Sequence, residues 1–551
     1  MDAFFASYYS HRPVNSTCVG LCEHDHTLPD LSEAGVGDAL SDARDLLSAA
    51  PGGEVGGARE IDRRLARGYL KIQEWEFGSE HFQGGNPSFH TGEAIFGFIS
   101  LFLTESGPLS ERVAAATARM SAIPTFLDQA RQCVQESPRS WTERAIRECD
   151  GAHALFTDGV EQLAHRMKGA SGPVPANAIS LFSVAAEDAV RAFAEHRTWL
   201  ESDLSHKTHE RYACGAEAFD LYMKEGHCLD ESAEEVLLYA EDQLAQAETY
   251  GAQHCSDFAA SNASEVTGRL GDIAPSASEY YDRYGEIWSD VRALSDEKGL
   301  VTWPDFPIRY VPRPEWVRSA APHLYFLFYR SPAAFHRPET HEYLVAPLPE
   351  EQQANFLRAN NDSVIRRNHV IHHGGIGHHI QNWHAFRAES RIGQMAAVDC
   401  ASRIAMFCGG TMAEGWACYA TDLASEAGAL SPVEQFAEAV GRGRMAARAI
   451  VDIRLHRGEF TLDEAASFYE DRAGMPAAAA RGEAIKNSMF PGAALIYLTG
   501  TDAIHRLRSE VASRSEGRFD LRAFHDRFLS YGSVPVSLIA KDMLKGDNDA
   551  E

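Results

Sequence analysis

Residues 369–384 read His-Val-Ile-His-His-Gly-Gly-Ile-Gly-His-His-Ile-Gln-Asn-Trp-His, with six histidines in sixteen positions. Neutral imidazole is the commonest metal ligand among protein side chains, and it carries protons near neutral pH. The residues between the histidines include Val370, Ile371, Ile376 and Ile380. These apolar side chains are typical of a folded core rather than of a solvated histidine-rich tract. The stretch therefore predicts a metal site in a folded domain.

Two pairs of histidines in this stretch could share one metal ion. His369 and His373 lie four residues apart, which places them on one face of a regular helix. His372 and His378 lie six residues apart, at about 240° around a straight helix, so they converge only if the backbone leaves helical geometry. The intervening sequence Gly-Gly-Ile-Gly permits such a departure, because glycine adopts conformations that other residues avoid. The spacing leaves both pairs open.

A carboxylate for the same ion is available further along the chain. Glu414 opens the segment Glu-Gly-Trp-Ala-Cys-Tyr-Ala, which has helical character. Two histidines and one carboxylate would give three protein ligands and leave a fourth position for water or substrate, as in catalytic zinc sites. An acidic residue near the start of a helix is also favoured by the helix dipole. The position of Glu414 therefore does not decide its role.

The bulk composition limits the classes of partner. The 551-residue chain has a formal net charge of −28, which argues against nucleic acid and anionic membrane surfaces. Its ten cysteines are scattered, which is typical of a reducing compartment. Residues 1–13 lack the pattern of a secretory signal, and no apolar run has the length of a membrane span. We expect a cytoplasmic protein that acts on a small molecule or short peptide, with neither nucleic acid nor a membrane as partner.

Apolar residues at helical spacing dominate the chain and predict a mainly α fold. Strand-like alternation predicts a small β element at 308–311, 324–329 and 342–345. The predicted organisation is a partly flexible N-terminal arm with the first helices (1–57), a helical N-terminal half (58–300), a helical metal-site half (301–545) and a tail (546–551). We expect the two halves to form one cleft.

Several segments resemble the motifs of a large bacterial family, in the same order. Residues 371–381 resemble its His-Glu-x-x-Pro-Gly-His-His-x-Gln segment, and residues 413–420 resemble its Glu-Gly-Trp-Ala-x-Tyr-Ala helix. The other similar segments are 86–94, 452–458, 490–500 and 519–526. This family is catalogued as a domain of unknown function and is grouped with helical zincin-like metallopeptidases. The resemblance covers much of residues 60–545.

The resemblance implies a zincin-like helical metallopeptidase architecture with a deep cleft. It implies a metal ion, Zn²⁺ first, with ligands at His372, His378 and Glu414. It also implies that Asp452, His456 and Tyr497 line the cleft, where they would support the ligands, transfer protons or stabilise an oxyanion.

One departure from the family pattern bears on the chemistry. The family glutamate after the first histidine, the base expected to activate metal-bound water, is His373 here. A neutral imidazole also accepts a proton, but its reach differs and the site becomes more positive by one charge. Our candidate catalytic residues are therefore His373, Tyr497 and His456. They predict a metal-dependent hydrolase or lyase that cleaves an amide, C–N or related bond of a small molecule.

Three other functions stay open at this point. The first is a metallopeptidase for small peptides, with Glu389 or Asp399 as the base. The second is an oxidative enzyme with Fe²⁺ or Mn²⁺ at a three-histidine centre, since imidazole-rich sites bind several metals. The third is a catalytically silent metal-binding protein. The other histidines of the stretch are expected to be structural or to hold the ligands through hydrogen bonds; they are His369, His379 and His384.

Overall fold

The computed structural model describes residues 1–49, 57–169, 174–324, 331–396 and 408–546. Most of these residues are helical, which confirms the mainly α fold class. The α-helices before residue 300 are α1 (Asp2–His11), α2 (Pro13–Cys18), α3 (Glu33–Ala49), α4 (Gly57–Phe77), α5 (Pro87–Leu103), α6 (Leu109–Cys133), α7 (Arg139–Ala154), α8 (Val160–Gly169), α9 (Ala176–Ser202), α10 (Ala216–Leu221), α11 (Ala233–His254), α12 (Ala263–Gly268) and α13 (Tyr280–Lys298).

The α-helices after residue 300 are α14 (Glu315–Arg318), α15 (Gln353–Ala359), α16 (Asp362–Val364), α17 (His378–Ala385), α18 (Arg391–Met395), α19 (Gly410–Glu426), α20 (Pro432–His456), α21 (Leu462–Ala473), α22 (Ala477–Met489), α23 (Ile496–Arg514), α24 (Leu521–Leu529) and α25 (Val536–Gly546). Wider π-helical turns occur at Leu155–Gly159, Tyr222–Gly226 and Ile365–Gly374. Short 3₁₀ turns occur at Leu204–Lys207, Cys255–Phe258, Arg269–Asp272 and Ala321–His323.

The start of the long helix α20 illustrates how local sequence sets these boundaries. The hydroxyl of Ser431 accepts a hydrogen bond from the backbone N–H of Glu434, and the Glu434 carboxylate accepts one from the backbone N–H of Ser431. This reciprocal arrangement satisfies two backbone donors that the first turn leaves free. Pro432 follows at the first helical position, where its missing N–H costs nothing.

The β structure consists of two parallel pairs of short strands. Strand β1 (Ser137–Pro138) pairs with β2 (Thr208–His209), and β3 (Ile308–Pro312) pairs with β4 (His341–Val345). The strands predicted at 308–311 and 342–345 are therefore confirmed. Of the strand predicted at 324–329, residues 325–329 lie outside the described residues. The β3–β4 pair sets Tyr310 opposite Tyr343, and both tyrosines approach the histidine stretch.

The main hydrophobic core runs through the whole length of the chain. It includes Phe4 of α1, Ile371 and Ile376 of the histidine stretch, Trp416 of α19 and Met543 of α25. A second core lies mostly among α5 to α9. The N-terminal helix α1 thus packs into the same core as the C-terminal helices, and the division at residues 57 and 300 stays a prediction. In the part of the chain that the structure describes, no helix is long and apolar enough to cross a membrane.

Candidate metal centre

The histidine stretch folds as a π-helical segment, Ile365–Gly374, followed by a tight turn and helix α17. The Gly377 N–H donates to the carbonyl oxygen of Ile371 at 2.9 Å. A Cβ at Gly377 would lie 1.9 Å from the carbonyl oxygen of His372, so the chain can pass here only as glycine. This close passage brings His378 back beside His372, with 5.0 Å between the ring centres. Such wide helical turns are frequent at functional sites.

Three histidines and one carboxylate converge at this point. The Nε2 atoms of His372 and His378 lie 3.4 Å and 3.8 Å from the same Oε2 of Glu414. One ring nitrogen from each of His372, His373 and His378 lies within 4.8 Å of the other two. Ligands around one tetrahedral ion at ordinary zinc distances are separated by about 3.4 Å. The donor spacing therefore fits one ion, and the nitrogen–oxygen set suits Zn²⁺, Fe²⁺ or Mn²⁺.

Neighbouring polar side chains orient these imidazoles. His378 donates from Nδ1 to Oε1 of Gln381 at 2.9 Å, and the Gln381 amide donates to Ser533 at 2.5 Å. The Nε2 lone pair of His378 therefore points towards Glu414, as a metal ligand requires. The Oη atom of Tyr343 lies 2.7 Å from Nδ1 of His369 and 3.2 Å from Nδ1 of His373. His369 thus supports the centre through Tyr343.

The protonation states favour metal binding. Burial opposes the ionisation of Glu414, but its hydrogen bond to His372 and the neighbouring imidazoles lower its pKa to about 2. Burial, reinforced by the surrounding histidines, lowers the pKa of His373 well below its usual value. Burial also lowers the pKa of His378. A carboxylate beside neutral imidazoles can ligate a metal, and a neutral imidazole can accept a proton.

Two close contacts connect the carboxylate helix α19 to its surroundings. The Trp416 indole N–H donates to the carbonyl oxygen of Ile376 at 2.8 Å, in the turn that brings His378 beside His372. A Cβ at Gly415 would lie 2.5 Å from the carbonyl carbon of Gly500, so α19 and α23 pack with their backbones almost in contact. Helix α23 begins next to Tyr497, and the packing carries this residue towards Glu414.

Tyr497, which the resemblance implies as a cleft residue, is close enough to Glu414 to feel its charge. Burial and the negative charge of Glu414 raise the pKa of Tyr497 well above its usual value, so its hydroxyl stays protonated. The guanidinium of Arg448 lies over the Tyr497 ring, 4.8 Å from the ring centre. Fully buried Asp452 accepts backbone N–H bonds from Gly492, Ala494 and Leu495 at 2.8–3.0 Å. Asp452 thereby fixes the turn before α23. Its effect on the centre would come from the way this turn positions Tyr497.

The structure does not bring His456 into the histidine cluster. Its Nε2 lies 2.9 Å from the carbonyl oxygen of Asn487, and its ring stacks on Phe219 and contacts His81. Burial lowers the pKa of His456 to about 3. Within the described ranges, the groups with metal-binding spacing do not include His456. These contacts are those of a structural histidine, although its part in catalysis is a prediction that they do not test.

The remaining residues named from the sequence are His379, His384, Glu389 and Asp399. The Nε2 of His379 lies 2.7 Å from the carbonyl oxygen of Phe306, and its ring stacks on that phenyl ring. His384 packs edge-on against Trp383. Glu389 is exposed, and Asp399 lies outside the described residues.

Two side chains near the centre have no signal in the sequence. Tyr343 belongs to a segment that the sequence predicted only as a strand, and its approach to the histidines depends on the pairing of β4 with β3. Lys486, on helix α22, is close enough to Glu414 to lower its pKa. Neither lies in a recognisable motif, so only the folded chain shows that they belong to the site.

Comparison with solved structures shows where this fold occurs. A "putative lipoprotein of unknown function" from Shewanella oneidensis is 21% identical, with a TM-score of 0.77 over 98% of each chain. A "putative lipoprotein" from Colwellia psychrerythraea is 16% identical, with a TM-score of 0.72 over 100% of this chain and 98% of the other. At these identities the likeness shows the fold alone. No curated protein matches the chain.

The cytoplasmic location that we expected from the sequence is wrong by this comparison, since both of these similar structures are described as putative lipoproteins. The expectation rested partly on the scattered cysteines. The structure buries Cys149, Cys228, Cys255, Cys408 and Cys418. Buried thiols are inert, so the lack of a disulfide pattern did not establish a reducing compartment.

The family model described as "Bacterial protein of unknown function (DUF885)" matches residues 13–543. This match confirms the resemblance to a family of unknown function, whereas the grouping with metallopeptidases stays a prediction. The chain therefore belongs to the DUF885 family of bacterial proteins of unknown function.

Proposed function

We propose that this protein is a metal-dependent hydrolase or lyase that cleaves an amide, C–N or related bond of a small molecule. The observation that carries the proposal is the approach of His372 and His378 to one carboxylate oxygen of Glu414, at 3.4 Å and 3.8 Å. The side chains of these residues are 16%, 13% and 25% exposed. The ligand set is therefore accessible from solvent, as substrate entry requires. The zincin-like architecture implied by the family resemblance belongs to this proposal.

The residues around the ligands suit bond cleavage. A bound divalent metal would supply a Lewis acid and lower the pKa of bound water. His373 is neutral and contacts Tyr343 through Nδ1, so Nε2 is the atom that would accept a proton from the attacking water. The protonated Tyr497 hydroxyl would donate a hydrogen bond to negative charge that develops on the substrate.

A second function is favoured by one specific observation. The nitrogens of His372, His373 and His378 are mutually within 4.8 Å, so His373 can also be a third nitrogen ligand. A three-histidine centre with Fe²⁺ or Mn²⁺ would direct the chemistry to oxidation. The two functions require different roles of His373, and this difference makes them separable.

The test is elemental analysis of the purified protein after reconstitution with Zn²⁺, Fe²⁺ or Mn²⁺. We expect about one metal per chain in the wild type, from the one-ion donor spacing, and almost none in His372→Ala and Glu414→Ala. His254→Ala is the matched control, because His254 is an exposed histidine outside the histidine stretch. It hydrogen-bonds to Asp257, three residues further along the chain. A wild-type chain that takes up none of the three metals would refute the proposal.

The variant His373→Ala then separates the two functions. If His373 is the base, the variant keeps its metal and loses turnover of amide substrates. If His373 is a ligand, the variant loses metal affinity as His372→Ala does. Retention of both metal and turnover would show that His373 has neither role.

A further inference from the structure

Three cationic side chains lie on helices α20 and α22, and we call Arg444, Arg448 and Lys486 the cationic rim. Arg444 and Arg448 are four residues apart on α20 and so share one face of that helix. The guanidinium of Arg448 lies 4.8 Å from the ring centre of Tyr497, and its Nε lies 2.8 Å from Oε1 of Glu483. Lys486 is three residues after Glu483 on α22, on the same face of that helix.

Arg448 connects the rim to both Glu483 and Tyr497 through direct contacts. Burial opposes the ionisation of Glu483, but Arg448, Lys486 and Arg444 together lower its pKa. Helix α23 carries Tyr497, and one turn later its backbone at Gly500 packs against Gly415, the residue after Glu414. The rim therefore contacts Glu483 and the Tyr497 ring through Arg448, one helical turn from the place where α23 packs against α19.

The rim carries more positive charge than its neighbours neutralise. Glu483 pairs with Arg448, whereas Arg444 and Lys486 have neither a hydrogen bond nor an ion pair among the residues that the structure describes. The nearby Glu438 carboxylate is bonded to Arg367 at 2.5 Å, so it is already neutralised. The net charge of −28 means that the chain has an excess of carboxylates, yet among the described residues none of them forms an ion pair with these two cations.

We propose that Arg444 and Lys486 bind a carboxylate group of the substrate. This inference rests on the proposed function and narrows its substrate class to small amides or related compounds that bear a carboxylate, such as N-acyl amino acids. Guanidinium and ammonium groups form charge-assisted hydrogen bonds with carboxylates, which are about twice as strong as neutral ones. Arg444 is exposed and Lys486 is partly exposed, so both can reach a ligand from solvent. Arg448 of the rim contacts the ring of Tyr497, so a substrate held by the rim would have its scissile bond near the Tyr497 hydroxyl.

The test compares two probes that differ in one charge, N-benzoylglycine and N-benzoylglycinamide. Their binding is measured by isothermal titration calorimetry with metal-loaded and metal-stripped full-length protein. We expect the carboxylate probe to bind at least about tenfold more tightly than the neutral amide, in both forms, as charged hydrogen bonds imply. Arg444→Gln and Lys486→Gln should each remove most of this preference without changing the affinity for the amide. Arg444→Lys and Lys486→Arg should restore part of it.

Two exposed cations far from the rim serve as matched controls. Lys298→Gln removes the partner of Glu297, and Arg518→Gln removes a side chain that is 83% exposed. Neither should change the preference, so a general effect of net charge would appear in both.

The proposal is overturned if the two probes bind equally, if neither binds at about 10 mM, or if the rim variants retain the preference. Failure of the proposed function is a different result, in which the wild type takes up no metal. The metal-stripped titrations still test the rim in that case, because Arg444 and Lys486 are not ligands.

Discussion

The substitution Gly377→Ala tests whether the tight turn in the histidine stretch builds the metal site. The added Cβ would lie 1.9 Å from the carbonyl oxygen of His372, 2.7 Å from its carbonyl carbon and 2.9 Å from the carbonyl oxygen of Ile371. These neighbours are backbone atoms, which cannot rotate away as a side chain can. Alanine therefore requires the backbone at 377 and the backbone at 372 to move apart.

The size of this movement follows from the contact distances. Cβ atoms essentially never approach another heavy atom closer than 3.0 Å, so the 1.9 Å contact demands a shift of about 1 Å. Metal ligands hold their positions to within about 0.2 Å. A shift of this size separates His372 from His378, and we expect metal affinity to fall by at least about a hundredfold, beyond the usual effect of losing an outer hydrogen bond. Overpacking should also lower the free energy of unfolding by about 1–3 kcal/mol.

Competition with a chromophoric chelator measures the metal affinity, and urea unfolding of the metal-free protein measures the stability. Gly441→Ala is the control, since Gly441 lies in helix α20 with no heavy atom within 4 Å of an added Cβ. We expect this variant to bind metal normally and to be no less stable, because alanine favours helix. The reasoning is refuted if Gly377→Ala binds metal as tightly as the wild type, or if Gly441→Ala loses metal to the same extent.

Three further outcomes follow from contacts around the centre. Tyr343→Phe removes the hydroxyl that lies between His369 and His373, and chelator competition should show metal affinity about tenfold to a hundredfold lower. Trp416→Phe leaves the buried carbonyl of the turn without its donor, and urea unfolding should show a loss of about 1–3 kcal/mol. Burial raises the pKa of Asp452 from 3.8 to about 7, so the native state binds the proton more tightly than the unfolded state. The contribution of Asp452 to the free energy of unfolding is therefore greatest below about pH 4, and it falls by up to about 4 kcal/mol as the pH rises through 7. Denaturation series across pH 4–8 should show that Asp452→Asn removes this fall. An unchanged fall in the variant would contradict the assignment to Asp452.

The sequence predicted the helical class and two of the short strands because these depend on local periodicity. It could not choose between the two histidine pairs, because a regular helix sets His372 and His378 on different faces. The structure brings them together through π-helical turns and the passage at Gly377. Glycines in the sequence permit such a turn, but they do not specify its direction, which depends on partners as remote as Trp416.

The motifs around Asp452 and His456 show a second limit. The resemblance implies that both residues line the cleft with Tyr497, and in the structure their side chains are fully buried. Asp452 holds the backbone before α23, and His456 holds the backbone at Asn487. A motif records that a residue type recurs near a site. It does not separate a side chain that faces the substrate from one that positions the backbone behind it.

The charge of the centre connects the proposed reaction with the proposed substrate. The lowered pKa values of His373 and His378 keep these imidazoles neutral, and the lowered pKa of Glu414 keeps it anionic. With a divalent ion the ligand set would therefore carry a net positive charge, and the unpaired Arg444 and Lys486 add to it. A carboxylate-bearing substrate is attracted to such a site, but its carboxylate could also occupy the metal position that the reacting bond needs. Arg444 and Lys486 would compete with the metal for the substrate carboxylate, because they offer it strong charge-assisted hydrogen bonds. The carboxylate would then bind away from the metal ligands. The same positive potential can then hold the substrate without blocking the reaction.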